Sequence, residues 1–131
     1  MEIKKDLKNY LIKAVYFWCV ENKLTPYLEI NNFEKNIIPQ DIKENFKNNT
    51  TIIFNLSKNR VKNLEFKDNG ILFFTNINSV IEEVYLDFNG ISKIYCSEFK
   101  QGLEFNVYET NTKINEKKIN NLKLIVDNTK D

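Results

Sequence analysis

Between Tyr10 and Leu28 the chain reads YLIKAVYFWCVENKLTPYL, a run apolar on more sides than one helix in a small domain can hide. Leu7, Leu11, Ala14, Val15 and Trp18 recur at three-and-four spacing, which lines side chains along one helix face and predicts that this face covers a core. Ile3, Tyr10 and Phe17 repeat every seven residues on another side, and Lys13 is the only charge between Tyr10 and Val20. A chain of 131 residues has little interior to swallow a second apolar face. A homodimer built on this helix is therefore expected, with Tyr10, Ala14 and Phe17 at the interface. A helix sunk deep in its own domain is the alternative.

Two absences narrow the chemistry. The chain has no histidine, which removes Ser-His-Asp and Cys-His nucleophiles, an imidazole base and the ordinary catalytic zinc site. Glu82 and Glu83 are adjacent, so on a strand they point to opposite faces and cannot form a carboxylate pair with each other; Glu98 stands apart. Gly70, Gly90 and Gly102 are isolated and form no phosphate-cradling loop. Neither an enzyme nor a cofactor or metal is expected. With 19 basic and 18 acidic residues the net charge is +1, which argues against a nucleic-acid binder relying on a positive field. Phe73, Phe74 and Tyr95 would suit base stacking, but with no basic excess beside them core packing is the better reading. Cys19 and Cys96 lie in apolar surroundings and in no metal-like spacing, as buried thiols of a reducing compartment do. No stretch approaches a membrane span, and the start lacks a secretory core, so a cytoplasmic protein is expected.

The helix should end near Asn22, since Asn tolerates the left-handed conformation of a C-terminal cap and Pro26 disfavours helix at Thr25. Strands are expected at Tyr27–Ile30, Thr51–Leu56, Leu64–Phe66, Ile71–Phe74, Ile81–Leu86, from Tyr95, and at Leu103–Val107. Ile37-Ile38-Pro39 reads as an edge-like segment, and Gln40–Asn49 as a helical turn or a loop. Ser57–Asn63 and Phe88–Ile94 read as connections. The Asn69-Gly70 turn should supply positive φ angles to a hairpin. Short strands after a single helix predict a mainly β domain, a small, strongly bent antiparallel barrel over residues 1–108. Residues 109–121 are polar and read as a flexible linker, before a tail, 122–131, that opens on the apolar run Leu122-Lys123-Leu124-Ile125-Val126. That run would be a final strand or, better suited to so long a connection, a docking motif. A barrel with strand edges and a tethered apolar motif has the parts of a peptide-binding module.

These residues resemble a known family. Tyr10-Leu11, Ala14, Tyr16, Trp18 and Glu21-Asn22-Lys23-Leu24-Thr25-Pro26-Tyr27-Leu28 are similar to the opening signature of stringent starvation protein B, SspB, which runs YLLRAFYEWLLDNQLTPHL. The likeness continues through Asn55-Leu56-Ser57, Asn63-Leu64, Ile71 and Phe73. It extends to Ile94-Tyr95, Glu98, Gly102 and Phe105, which resemble the family's IYARENGxGxxF. Where that family reads FNAR this chain has Phe73-Phe74-Thr75-Asn76, without the arginine.

The resemblance implies an Sm-like or SH3-like barrel behind a dimerising helix. It also implies an adaptor that holds the ssrA degradation tag and delivers tagged proteins to the ClpXP protease. On the matching segments the tag groove would be walled by Asn55, Leu56, Ser57, Phe74, Asn76, Tyr95, Leu103 and Phe105. Leu122, Lys123, Leu124, Ile125 and Val126 resemble the family's ALRVVK tail, which implies docking on the ClpX amino-terminal domain. A small-barrel RNA-binding protein is the alternative.

Overall fold

Among the described residues one long helix, α1 (Leu7–Glu21), comes first and contains neither Gly nor Pro. The computed structural model describes residues 6–105 and the backbone of residues 123–125. The helix closes in a Schellman motif: Leu24 N–H reaches the Cys19 carbonyl at 2.8 Å and Lys23 N–H the Val20 carbonyl at 3.2 Å. Asn22 ends the helix as expected, but Lys23, at φ 57°, takes the left-handed position, while Asn22 sits at φ −101° and turns its side-chain amide onto the Trp18 carbonyl.

Among the described residues eight strands follow: β1 (Pro26–Asn31), β2 (Thr51–Asn55), β3 (Val61–Phe66), β4 (Gly70–Ile77), β5 (Val80–Asp87), β6 (Ile91–Cys96), β7 (Gln101–Glu104) and β8 (Lys123–Ile125). The short helix α2 (Gln40–Lys43) runs into a 3-10 turn, Glu44–Lys47, between β1 and β2. All pairings are antiparallel and form two sheets, β2-β1-β6-β7-β8 and β3-β4-β5. Among the described residues the pairing does not close into the ring of a barrel. The two inner faces meet over one core, where the rings of Phe54 (β2) and Phe73 (β4) touch edge to face at 5.6 Å. Leu28, Ile30, Ile94, Ile71, Val84 and Leu86 pack around them, and each such buried aliphatic chain contributes about 1.5–3 kcal/mol by removal from water.

The helix meets this core with a face that only partly overlaps the one its periodicity suggests: Leu11 and Val15 pack against the core as expected. Ile12, Tyr16 and Cys19 are buried, whereas Leu7 and Trp18 are 58% and 37% exposed and Ala14 is exposed. An apolar helix gives hydrophobic spacing on every side, so the face is chosen by which residues fit beneath β1 and β6, and Ile12 and Cys19 do.

Several boundaries also move. Val61 already begins β3 inside the expected 57–63 connection, and β6 begins at Ile91, so Tyr95 lies within a strand and does not open one. The strand expected at Leu103–Val107 is Gln101–Glu104. No glycine has positive φ. Gly70 is required instead because a Cβ would collide with the Leu86 carbonyl oxygen and the Tyr85 ring. The tight turn with two left-handed residues is Asn78-Ser79, φ 53° and 71°, between Ile77 and its partner Val80, the two-residue geometry that matches strand twist. Ile37 bridges Tyr85 as an edge-like residue. Lys123–Ile125, inside the run assigned to a tail, pairs with β7 as the edge strand β8. The expected linker at 109–121, Ile3, Val107, Leu122 and Val126 lie outside the described residues.

Candidate functional site

The segment between helix and sheet is held from both sides. Thr25 donates its backbone N–H to Glu98 Oε1 at 2.9 Å and its hydroxyl to Oε2 at 2.8 Å, while Ser97 N–H returns to the Thr25 carbonyl at 3.0 Å. These donors hold the Glu98 carboxyl below the usual carboxylate range, first through the backbone bond and then the hydroxyl. Leu56 N–H reaches the Pro26 carbonyl at 2.9 Å. The start of β1 is thus pinned to the β6–β7 turn and to the end of β2, which fixes the register of the sheet's outer face.

Residues directly opposite in antiparallel strands share a face. One outer row therefore runs Asn55, Tyr27, Tyr95 and Gly102 across β2, β1, β6 and β7. The Tyr27 and Tyr95 rings meet edge to face at 5.9 Å. Burial, then the Glu29 carboxylate and Tyr27, push the Tyr95 phenol above its ordinary pKa. Gly102 is required at the end of this row, because a Cβ there would collide with the Ile94 carbonyl and with Tyr95. The next row on the same face is Ile53, Glu29, Lys93 and Glu104. Lys93 Nζ stands 3.8 Å from Glu29 Oε1. Ser92, the extra residue of a bulge opposite Glu29, donates to that residue's Oε2 at 2.8 Å.

The residues expected to wall a groove divide into three groups. Asn55 and Tyr95 share the outer row, and Ser57 follows just past β2, its N–H on Asn55 Oδ1 at 2.9 Å. Phe74 and Asn76 lie on the outer face of the other sheet, opposite Glu83 and Ile81, with Asn76 Oδ1 accepting from Ser79 N–H. Leu56 and Phe105 are buried in the core, and Leu103 stands opposite Ile94 on the inner face. Strand alternation separates these sides, but which side is wet depends on the second sheet. Tyr27 was missed as a site residue. Its signal was present, since it alternates with the core residues Leu28 and Ile30, but its pairing with Tyr95 exists only in the folded register.

On α1 the expected interface residues Tyr10 and Phe17 are 56% and 46% exposed, and with Leu7, Ala14 and Trp18 they make one continuous apolar stripe. Among the described residues no three His, Cys, Asp or Glu side chains gather as a metal site, and no helix is long and apolar enough to cross a membrane.

The fold and this face define a mainly antiparallel β domain with one N-terminal helix and an open, tyrosine-bearing sheet surface. The sequence profile of stringent starvation protein B matches residues 6–128. The chain belongs to that family. It is 28% identical over 116 residues to a stringent starvation protein B homolog of Haemophilus influenzae, an alignment covering 88% of this chain and 75% of the relative.

Proposed function

We infer that the protein is an adaptor that binds the ssrA tag of substrate proteins and delivers them to the ClpXP protease. The reading rests on family membership together with one observation: the Thr25–Glu98 clamp joins the two signature segments and sets Asn55, Tyr27 and Tyr95 in one row on an open sheet face. A row of this kind suits an extended peptide, whose backbone finds polar partners while its side chains select among apolar and aromatic surfaces. Asn55, Ser57, Tyr27 and Tyr95 form the first contact surface. Phe74 and Asn76 offer a second on the other sheet. The exposed stripe Leu7, Tyr10, Ala14, Phe17 and Trp18 is the dimer interface, and the segment beginning at Leu122 docks on the ClpX amino-terminal domain. Two tails per dimer raise the effective concentration of the second docking contact.

Titrating a fluorescent ssrA peptide against the full chain tests the reading, with a labelled oligonucleotide in parallel at moderate salt. Saturable peptide binding, weakened about tenfold or more by Tyr27→Ala with Tyr95→Ala, is expected. Binding of the oligonucleotide alone would favour the small-barrel RNA-binding alternative.

A further inference from the structure

Strand β8 continues the sheet in a register that its sequence fits at every position. Lys123 stands opposite Glu104, extending the row Glu29, Lys93, Glu104 to four alternating charges across β1, β6, β7 and β8. Opposite charges facing across strands stabilise a pairing and like charges oppose it. Leu124 stands opposite Leu103, at the end of the row Phe54, Leu28, Ile94, Leu103, all apolar. Ile125 falls opposite Gly102, the one position of its row without a side chain. A slip by one residue would set Lys123 in the apolar row, so the register is specific.

The pairing is nonetheless short. Three residues supply few backbone hydrogen bonds, and bringing Lys123–Ile125 onto Gln101–Glu104 carries the closure cost of a long sequence separation. Such a contact opens readily, and its edge then accepts any extended segment of matching order.

We propose that the edge of β7 is a strand-addition site whose occupant in cis is the chain's own Lys123–Ile125, so that this segment docks on another protein only after leaving the sheet. The proposal rests on the docking role inferred above for the run beginning at Leu122. Docking and sheet pairing both need the same three residues, and the adaptor therefore exists in a latched and an open form. The kind of partner that opens it is one that binds a basic–apolar–apolar segment, or one that offers such a segment to β7 in its place.

Amide hydrogen exchange on the full chain, with titration of the ClpX amino-terminal domain, decides this. Backbone amides within Lys123–Ile125 are expected to exchange about tenfold or more slowly than in an unstructured peptide. Glu104→Lys leaves the segment unchanged but sets like charges opposite each other, and should lower that protection about threefold or more. Affinity for the ClpX domain should rise by the same factor, because apparent affinity scales with the fraction of chains whose segment is free. Glu104→Gln, which only removes the opposite charge, serves if the lysine variant fails to fold. Random-coil exchange in the unaltered chain would overturn the proposal, as would lost protection with unchanged ClpX affinity. Protection without binding of the ClpX domain by either form would remove the docking reading, and the competition with it, while leaving the strand pairing in place.

Discussion

Thr25 and Glu98 are joined by two hydrogen bonds, 2.9 Å from the threonine backbone and 2.8 Å from its hydroxyl, across a sequence separation of 73 residues. The pair explains why a Thr-Pro after the helix and a glutamate after the Ile94-Tyr95 strand occur together. One side chain ties the exit of α1 to the turn between β6 and β7.

Because the Glu98 carboxyl is held below its ordinary value, the ionised form favours the folded state. The contribution is present above the unfolded carboxylate pKa, about 4.3, and is lost as pH falls through the lower folded value. Glu98→Gln should lower the melting temperature at pH 7 by roughly 2–5 °C, a difference that shrinks at pH 3. Circular dichroism melts at both pH values check this; an equal difference at both would show that the carboxylate charge is not the cause.

Two variants of α1, one single and one double, should act in different ways. Ile12→Ala empties a fully buried site and should cost about 2–5 kcal/mol of stability, read by denaturant unfolding. Ala14→Glu with Phe17→Glu falls on the exposed stripe and should leave the fold intact while separating the proposed dimer in sedimentation, since charges placed in an apolar contact cost several kcal/mol by order of magnitude. A folded, fully dimeric double variant would place the interface elsewhere.

Phe73 and Phe74 are consecutive on β4 and face opposite ways. Phe73 is fully buried against Phe54, and its truncation to Ala should cost about 3–5 kcal/mol. Phe74→Ala, on the partly exposed outer face, should cost about 1 kcal/mol. Comparable losses in thermal or denaturant unfolding would contradict the assigned faces.

Cys19 is buried under the sheet, and burial, with Cys96 and Glu98 nearby, pushes its thiol up to about 12. The folded state thus holds the neutral thiol. Its contribution is complete below the ordinary value of 9.0 and is lost as pH rises from there toward about 12. At pH 8 in native conditions Cys19 and Cys96 should resist thiol reagents, and both should react on unfolding. Rapid labelling of the native protein would show that this region opens.

What the sequence determined by itself was local. The absence of Gly and Pro between Leu7 and Glu21, and the Asn-Lys-Leu-Thr-Pro stop, are written in consecutive residues, as are the β-branched run at Thr51–Asn55 and the apolar, aromatic run at Ile71–Phe74. The signature residues of both clamped segments could be read there too, because each sits in a short contiguous motif. The tertiary structure decided everything that needs a second element. On an apolar helix the choice of Ile12, Tyr16 and Cys19 over Leu7 and Trp18 depends on the surface beneath it, not on spacing. The division of the expected groove into core residues Leu56 and Phe105 and face residues Asn55 and Tyr95 depends on which side the β3-β4-β5 sheet covers. The pairings of Tyr27 with Tyr95 and of Lys123 with Glu104 depend on register, which backbone hydrogen bonds and packing set between strands far apart in the chain.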